Sequence, residues 1–291
     1  MKVTRTILDE IVIDVRKELA EAQRRVPLAD LKRRIQDAPA VRSLKKALQS
    51  NFGLVAEIKE RSPSHGPMRR QNVDDAPLAY ERSRIVRAVS VLTNATYFGM
   101  SMERLQAVKA GGSKPVLRKD FIFDDYQVYE ARAFGADAIL LMANLLEADE
   151  MRRLQQLAGD LQMEVLFECH TREQIAQVPA GAELYGINSR TFDTDARTYE
   201  AARQHSQAGS RHDLTTDANR FELGGHLPSG VIKVAESGVR AETIAALRDR
   251  FGYHAALVGT SLLTAQQGVF EELELFENAL RSSAPTEPAV R

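Results

Sequence analysis

One cysteine in 291 residues, Cys169, leaves this chain without the means for an internal disulfide framework or a cysteine-clustered zinc site. It also lacks a surplus of charge. The 39 Lys and Arg stand against 40 Asp and Glu, a net charge of −1. That balance argues against a dedicated nucleic-acid binder and gives no reason to expect binding to anionic lipid. No apolar run approaches the ~20 residues needed to span a bilayer. The N-terminus MKVTRTILDEIVIDVRKEL carries charges throughout, unlike a signal peptide. What the chain does have is apolar content: 44% hydrophobic residues, ample for a core and too many for wholesale disorder. The expectation is a soluble cytoplasmic enzyme.

Short apolar, β-branched runs recur along the chain: LVAEIK (54–59), AVSVLT (88–93), PVLRKD (115–120), DAILLMA (137–143), MEVLFE (163–168), ELYGIN (183–188), VIKVAES (231–237) and AALVGT (255–260). Most are nearly continuous in apolar character, which suits strands buried on both faces of a parallel sheet. Helical patterns lie between them. Ser101 caps MERLQAVKA, which Gly111-Gly112 ends; QVYEARAF ends at Gly135; Thr171 and Gln174 form a capping box; ETIAALRDRF stops at Gly252. Eight strands, each followed by a helix, is the count of a (β/α)₈ TIM barrel. The rival, a doubly wound open sheet, wants a Gly-rich first turn, and the first turn here is KERSPSHG. Residues 1–50 precede the first strand as an N-terminal helical extension covering either the bottom of the barrel or its top rim. The expected organisation is one barrel domain over 1–291.

In a barrel enzyme the chemistry sits at the C-terminal ends of the strands, and polar residues collect there. Strand one ends in Glu57 and Lys59, then Ser62. Strand three ends in Lys119-Asp120, strand five in Glu168, strand six in Asn188 with Arg190 just after, strand seven in Glu236-Ser237-Gly238, and strand eight in Gly259-Thr260-Ser261. Charges on otherwise apolar strands are costly unless they face water, a partner or a ligand. Glu57 and Lys59 share parity and point to one side. Each residue singly has a plain reading as a solvated rim charge or an ordinary ion pair; six strands carrying such residues at one end is harder to explain that way. Glu168, Cys169 and His170 invite a metal reading, but adjacent residues point opposite ways and no second ligand cluster appears, so no metal is expected. The SGV and GTS turns after strands seven and eight bring free backbone N–H groups to helix starts, as a phosphate cradle requires. The residues alone thus point to an enzyme acting on a small phosphorylated metabolite.

These segments also resemble a known family. AEIKERSPSHG, VSVLTNATYFGMS, PVLRKDFIFDDYQVYEARAFGADAILLMA, EVLFECH, GINSR, VAESGV and LVGTSLL are similar, in order, to the strands and loops of indole-3-glycerol-phosphate synthase, the tryptophan-pathway barrel enzyme; ILDEIV and LADLKRRI resemble its N-terminal extension. The resemblance covers about residues 5–265, one stretch excepted. It implies a carbon–carbon (carboxy-)lyase that closes the indole ring of 1-(2-carboxyphenylamino)-1-deoxy-D-ribulose 5-phosphate with loss of CO₂ and water. Position by position it makes Lys119 the general acid, Glu168 the general base, and Lys59 the contact of the substrate carboxylate that assists the acid steps. Glu57 and Asn188 orient the lysines and substrate hydroxyls. Phe121 walls an aromatic slot, Arg190 and Ser62 help hold the anthranilate carboxylate, and Glu236 bonds the ribulose hydroxyls. Ser237, Gly238, Gly259 and Thr260 hold the phosphate. It implies no cofactor and no metal. The expected partner is the phosphorylated small molecule, with no nucleic acid and no membrane; the chain is expected to be a monomer, with weak association with other tryptophan-pathway enzymes left open.

Three positions depart from the family pattern. His65 stands where a Lys is common, which would soften the pH dependence of loop closure. Ser189 replaces a common second Asn. The interval from Arg190 to Glu236 is longer than the family needs, and two alignments compete. Either TFDTD continues the usual loop and the extra residues lie below the barrel, or HDLTTDANRFELGGHLP is the usual loop and an insertion at about 191–212 sits at the active-site rim, where it could act as a lid. Two other readings stay open. A sister barrel such as phosphoribosylanthranilate isomerase wants an Asp–Cys acid–base pair, whereas Cys169 adjoins Glu168 and points away from the mouth. A non-catalytic paralogue would not be expected to keep Glu57, Lys59, Lys119, Glu168 and Asn188 together.

Overall fold

The computed structural model describes residues 6–190 and 217–282. Eight parallel strands close into a barrel: β1 (Gly53–Ile58), β2 (Val86–Leu92), β3 (Val116–Lys119), β4 (Ala138–Met142), β5 (Glu164–Cys169), β6 (Leu184–Asn188), β7 (Ile232–Glu236) and β8 (Ala255–Val258). Each falls on one of the eight apolar runs. Closure is made by β1, which pairs with β8 through neighbours such as Val55 with Leu257, and with β2 through Val55 and Ala88. The strands are buried on both faces because helices cover the outside. Among these are α4 (Arg70–Arg82), α6 (Met102–Gly111), α7 (Asp125–Ala133), α8 (Ala148–Asp160), α9 (Arg172–Gln177), α10 (Ala241–Asp249) and α12 (Val269–Ser282); the shorter α5 (Ala95–Phe98) and α11 (Thr260–Thr264) follow β2 and β8 at the top.

Strand parity divides the core in two. Val55, Ala88, Leu117, Leu140, Leu166, Leu184, Val234 and Leu257 fill the barrel interior, while Leu54, Val116, Phe167, Cys169, Tyr185 and Val258 pack beneath the helices. Continuing the inward parity by one or two pleats reaches Glu57 and Lys59 on β1, Lys119 on β3, Glu168 on β5, Asn188 on β6 and Glu236 on β7. The period of two therefore delivers these six polar residues to one chamber. Cys169, one pleat out of step with Glu168, is buried in the outer layer, as parity requires.

The caps follow the local chemistry. Ser101 accepts from Arg104 N at the start of α6. Thr171 accepts from Gln174 N, but the expected reciprocal box does not form: the Gln174 carbonyl instead accepts from His170 N at 2.7 Å. The first turn after β1 is not plain loop, since Arg61–Ser62 and Gly66–Pro67 pair as a small antiparallel hairpin.

The N-terminal extension takes both of the positions anticipated for it. Helix α1 (Ile7–Arg25) lies across the top. Its buried Ile7, Ile11 and Val15 form one stripe, Asp14 accepts from Tyr97 Oη at 2.9 Å, and Glu18 accepts from Asn94 Nδ2 at 2.8 Å and Thr96 Oγ1 at 2.6 Å. Helix α2 (Leu28–Gln36) packs on α7. Helix α3 (Leu44–Gln49) seals the floor, where Leu44 and Leu48 join the interior cluster and Ser43 Oγ donates to Glu164 at 2.6 Å. Beside it Asp137 accepts from Lys109 Nζ at 2.5 Å, Arg42 N at 2.7 Å and Val116 N at 2.7 Å.

After β6 the description resumes at Asp217, whose N–H donates to Ser189 O at 3.0 Å. A 3₁₀ helix, Ala218–His226, then leads toward β7. The insertion expected at about 191–212 lies outside the described residues. No described helix is long and apolar enough to cross a membrane.

Candidate active site

At the C-terminal end of the barrel opens a cavity of about 560 Å³. Two lysines occupy its floor in different settings. Lys59 Nζ donates to Glu57 Oε1 at 2.5 Å. Lys119 Nζ lies 3.4 Å from Glu168 Oε2 and 3.8 Å from Glu236 Oε2. Burial favours the neutral amine at both positions. For Lys119 the carboxylates of Glu168, Glu236 and Glu57 outweigh that penalty and raise its pKa above the ordinary lysine value. For Lys59, burial together with the nearby charges of Arg190 and Lys119 outweighs Glu57, and the pKa falls.

The three carboxyls divide as well. Burial pushes each upward. Glu57 ends below its ordinary value because Lys59, Lys119 and Arg190 hold it ionised. Glu168 also ends low, held chiefly by Lys119 and by His170. Glu236, buried beside the Glu168 charge, rises well above it. His170, whose Nε2 is 3.6 Å from Glu168 Oε1, is pushed down by burial, against the raising effect of Glu168.

The loop after β3 is held from outside the barrel. Arg118, one pleat out of step with Lys119, bonds Asp120 at 3.1 Å, Glu130 at 3.0 Å and Thr93 Oγ1 at 3.1 Å. Asp120 in turn accepts from Phe121 N at 2.9 Å. This orients Phe121, which stacks on Phe98 with centroids 6.4 Å apart and planes 20° apart. Leu92, Leu140, Met142 and Leu257 complete an apolar wall opposite the charges. A flat aromatic group fits between such a wall and the two lysines.

At the other end of the cavity Ser237 and Gly238 both adopt left-handed backbone, φ 67° and 68°. Two consecutive residues in that region turn their N–H groups inward, the geometry of an anion nest, just ahead of α10. A non-glycine at positive φ is uncommon and persists only where its surroundings impose it. Here Ser189 Oγ donates to Ser237 O at 3.0 Å, and Ser261 Oγ donates to Val239 O at 3.1 Å, tying β6 and the β8 loop to this turn. Gly259 faces Glu57, and a Cβ there would strike the Glu57 carboxyl.

Of the residues expected in the site, Glu57, Lys59, Lys119, Phe121, Glu168, Asn188, Arg190, Glu236, Ser237, Gly238, Gly259 and Thr260 all line this cavity. Ser62 is not brought to its wall. It is buried in the small hairpin with its Oγ 3.5 Å from Ser64 Oγ, and Ser64 and His65 are the hairpin side chains that line the space. Sequence reasoning missed Phe98, the second aromatic wall, whose signal was an aromatic just past the second strand. It also missed Gly186, an inward-parity glycine in β6 where a Cβ would overlap the Glu236 carboxyl.

Fold and site together define a barrel enzyme built around acid–base chemistry beside an aromatic slot and an anion nest. The model of the indole-3-glycerol phosphate synthase family matches residues 8–207. An indole-3-glycerol phosphate synthase of Bacteroides thetaiotaomicron is 32% identical over 280 residues, covering 94% of this chain and 99% of that one. Another, of Mycolicibacterium gilvum, is 38% identical over 265 residues, covering 89% and 90%. The chain belongs to the indole-3-glycerol phosphate synthase family, enzymes of the lyase class. The solved 3-keto-L-gulonate-6-phosphate decarboxylase of Vibrio cholerae shares the fold alone, with TM-score 0.54 and 12% identity over 81% of this chain and all (100%) of that one.

Proposed function

We propose that this chain converts 1-(2-carboxyphenylamino)-1-deoxy-D-ribulose 5-phosphate to indole-3-glycerol phosphate, CO₂ and water, as a cytoplasmic enzyme of tryptophan biosynthesis. The carboxyphenyl ring packs against the wall of Phe98 and Phe121, with its carboxylate toward Lys59 and Arg190. The phosphate sits in the nest of Ser237 and Gly238 with Gly259 and Thr260 opposite, and Glu236 and Asn188 face the ribulose hydroxyls. The ring carbon bearing the carboxylate attacks the ribulose carbonyl, whose oxygen takes a proton from Lys119. CO₂ then leaves, the electron pair of its bond returning to the ring system. The hydroxyl formed in the first step departs as water after protonation, while Glu168 accepts the proton released as the indole becomes aromatic.

The observation that carries this reading is the pairing of Lys119 with Glu168 at 3.4 Å, a loaded acid touching an ionised base beside the aromatic wall. The contact couples the two steps. When Lys119 gives up its proton in the first step, Glu168 loses its nearest counter-charge and becomes a stronger base for the last. Lys59, already lowered by its neighbours, is the better placed lysine to protonate the departing hydroxyl at neutral pH. The test is the fluorescence of indole-3-glycerol phosphate formed from the carboxyphenylamino substrate. Absence of turnover with that substrate refutes the reading, and turnover without CO₂ release favours an isomerase.

A further inference from the structure

We propose that Glu168 and Glu236 hold one proton between them, that it resides on Glu236, and that the neutral Glu236 positions the Glu168 carboxylate by donating a hydrogen bond to it. This deepens the reading of Glu168 as the base and rests on it.

Both side chains are sealed from solvent, Glu168 at 0% and Glu236 at 1% exposure. Both oxygens of Glu236, and Oε1 of Glu168, find no N–H donor or hydroxyl within hydrogen-bond range among the described residues. Lys119, the nearest cation to Glu236, is 3.8 Å away, too far for a hydrogen bond, and it stands closer to Glu168. The two buried carboxylates share the single ammonium of Lys119, which hydrogen-bonds only one of them, so one shared proton relieves the remaining repulsion and satisfies an otherwise unpaired acceptor on each side. The charged groups facing the pair are Glu57 and Lys59 from β1, Lys119 from β3, His170 beyond β5 and Arg190 beyond β6. The proton falls to Glu236 because Lys119 donates to Glu168 at 3.4 Å and stands off from Glu236 at 3.8 Å, so the carboxylate charge is better held on Glu168.

The barrel makes room for this contact at one position. Glu236 pairs in register with Asn188, and its carboxyl lies over Gly186 on the neighbouring strand, where any Cβ would collide with Oε1. A side chain at 186 would push Glu236 away from Glu168. There is also a consequence for charge. With Glu236 neutral, one negative charge fewer faces Lys59, Lys119 and Arg190, which favours a substrate bearing a carboxylate and a phosphate.

The experiment uses the whole free enzyme with glutamate labelled by ¹³C at the carboxyl carbon. The Glu236 resonance, identified by its loss in Glu236→Gln, is expected to keep the shift of a neutral acid through neutral pH while Glu168 keeps that of a carboxylate. A carboxylate shift for Glu236 at neutral pH overturns the proposal, and does so whether or not the enzyme turns over the carboxyphenylamino substrate. Kinetics supply a second arm. Glu236→Gln, whose amide N–H can replace the acid O–H, is expected to keep kcat within about tenfold of wild type, whereas Glu236→Leu loses about a hundredfold. Equal losses for Gln and Leu overturn the proposal. Gly186→Ala is expected to lower kcat as far as Glu236→Leu does, and an unaltered kcat there overturns it as well.

Discussion

Replacing Lys119 by Met removes more than an acid. The ammonium lies 3.4 Å from Glu168 Oε2 in a chamber that side chains seal from below. At an effective dielectric constant of about 20, that separation corresponds to roughly 5 kcal/mol of attraction. Without that attraction burial is the dominant influence on Glu168, and its pKa rises. The variant therefore loses its acid and the cation that holds its base ionised. General acid catalysis alone is worth ~10²–10⁴-fold, and with the base also disabled the expected loss in kcat is more than about 10⁴-fold. Stability changes sign with pH. In the wild type Glu57 and Glu168 have folded pKa values below their unfolded ones, so their contribution is present above the unfolded value and fades as pH falls. In Lys119→Met the raised Glu168 binds its proton more tightly when folded, so that contribution is present at low pH and is lost as pH rises through the raised value. Indoleglycerol phosphate fluorescence gives kcat, and a melting series across pH gives the second signature. A variant retaining a hundredth of wild-type kcat at neutral pH, or one whose melting temperature rises with pH as the wild type's does, would refute the reasoning.

Glu168→Gln keeps the shape and loses the basicity, so kcat should fall by at least a hundredfold with KM little changed; a defect confined to KM would make Glu168 a binding residue. Gly238→Val places a branched side chain at a position with φ 68° that faces the anion, and should weaken binding of inorganic phosphate in calorimetry while leaving a dephosphorylated substrate analogue far less affected; equal losses would point to a fold defect. Asp137→Ala strands Lys109, which is 1% exposed, and frees the N–H groups of Arg42 and Val116; urea unfolding should show a loss of about 3–5 kcal/mol, and a loss under about 1 kcal/mol would show that the pair is replaceable.

The barrel was legible because each strand is an apolar run and several helices stop at a glycine before the next, as at Gly112, Gly135 and Gly252. Glu57, Lys59, Lys119, Glu168, Asn188 and Glu236 were legible because inward parity and strand end coincide at each. Family resemblance, more than spacing, assigned their separate tasks. What stayed hidden depends on three-dimensional neighbours. The stripe Ile7, Ile11, Val15 announces a packed helix but not which end of the barrel it meets; Asp14 and Glu18, bonding Tyr97 and Thr96, decide that. Gly186 carries no side chain to read, and its meaning lies in a carboxyl from the next strand. Ser62 and Ser64 are interchangeable in sequence, and only the small hairpin turns one inward and leaves the other at the cavity wall. Gln174 was a plausible box residue for Thr171, but the N–H of buried His170 competes for it and wins.

The closing pair of the barrel joins Gly53 with Ala255 and Leu54 with Ala256, and that fact sets a schedule for the chain as it is made. At ~5–20 residues per second of synthesis, the ~200 residues between them take about 10–40 s to appear. Throughout that interval the outer edge of the first strand has no partner, the condition under which strands pair with the wrong neighbour. The extension ahead of it acquires its anchors in order of emergence: Tyr97 for Asp14, then Asp137 for Arg42, then Glu164 for Ser43, then Glu183 for Lys45. The floor helix thus finds the last of these hydrogen-bond partners only as β6 begins, and its packing is completed by β7 and β8. A protein assembled this way has its earliest residues among its last to settle, and its yield in a cell depends on how well that open edge is shielded while the rest of the barrel is still being translated.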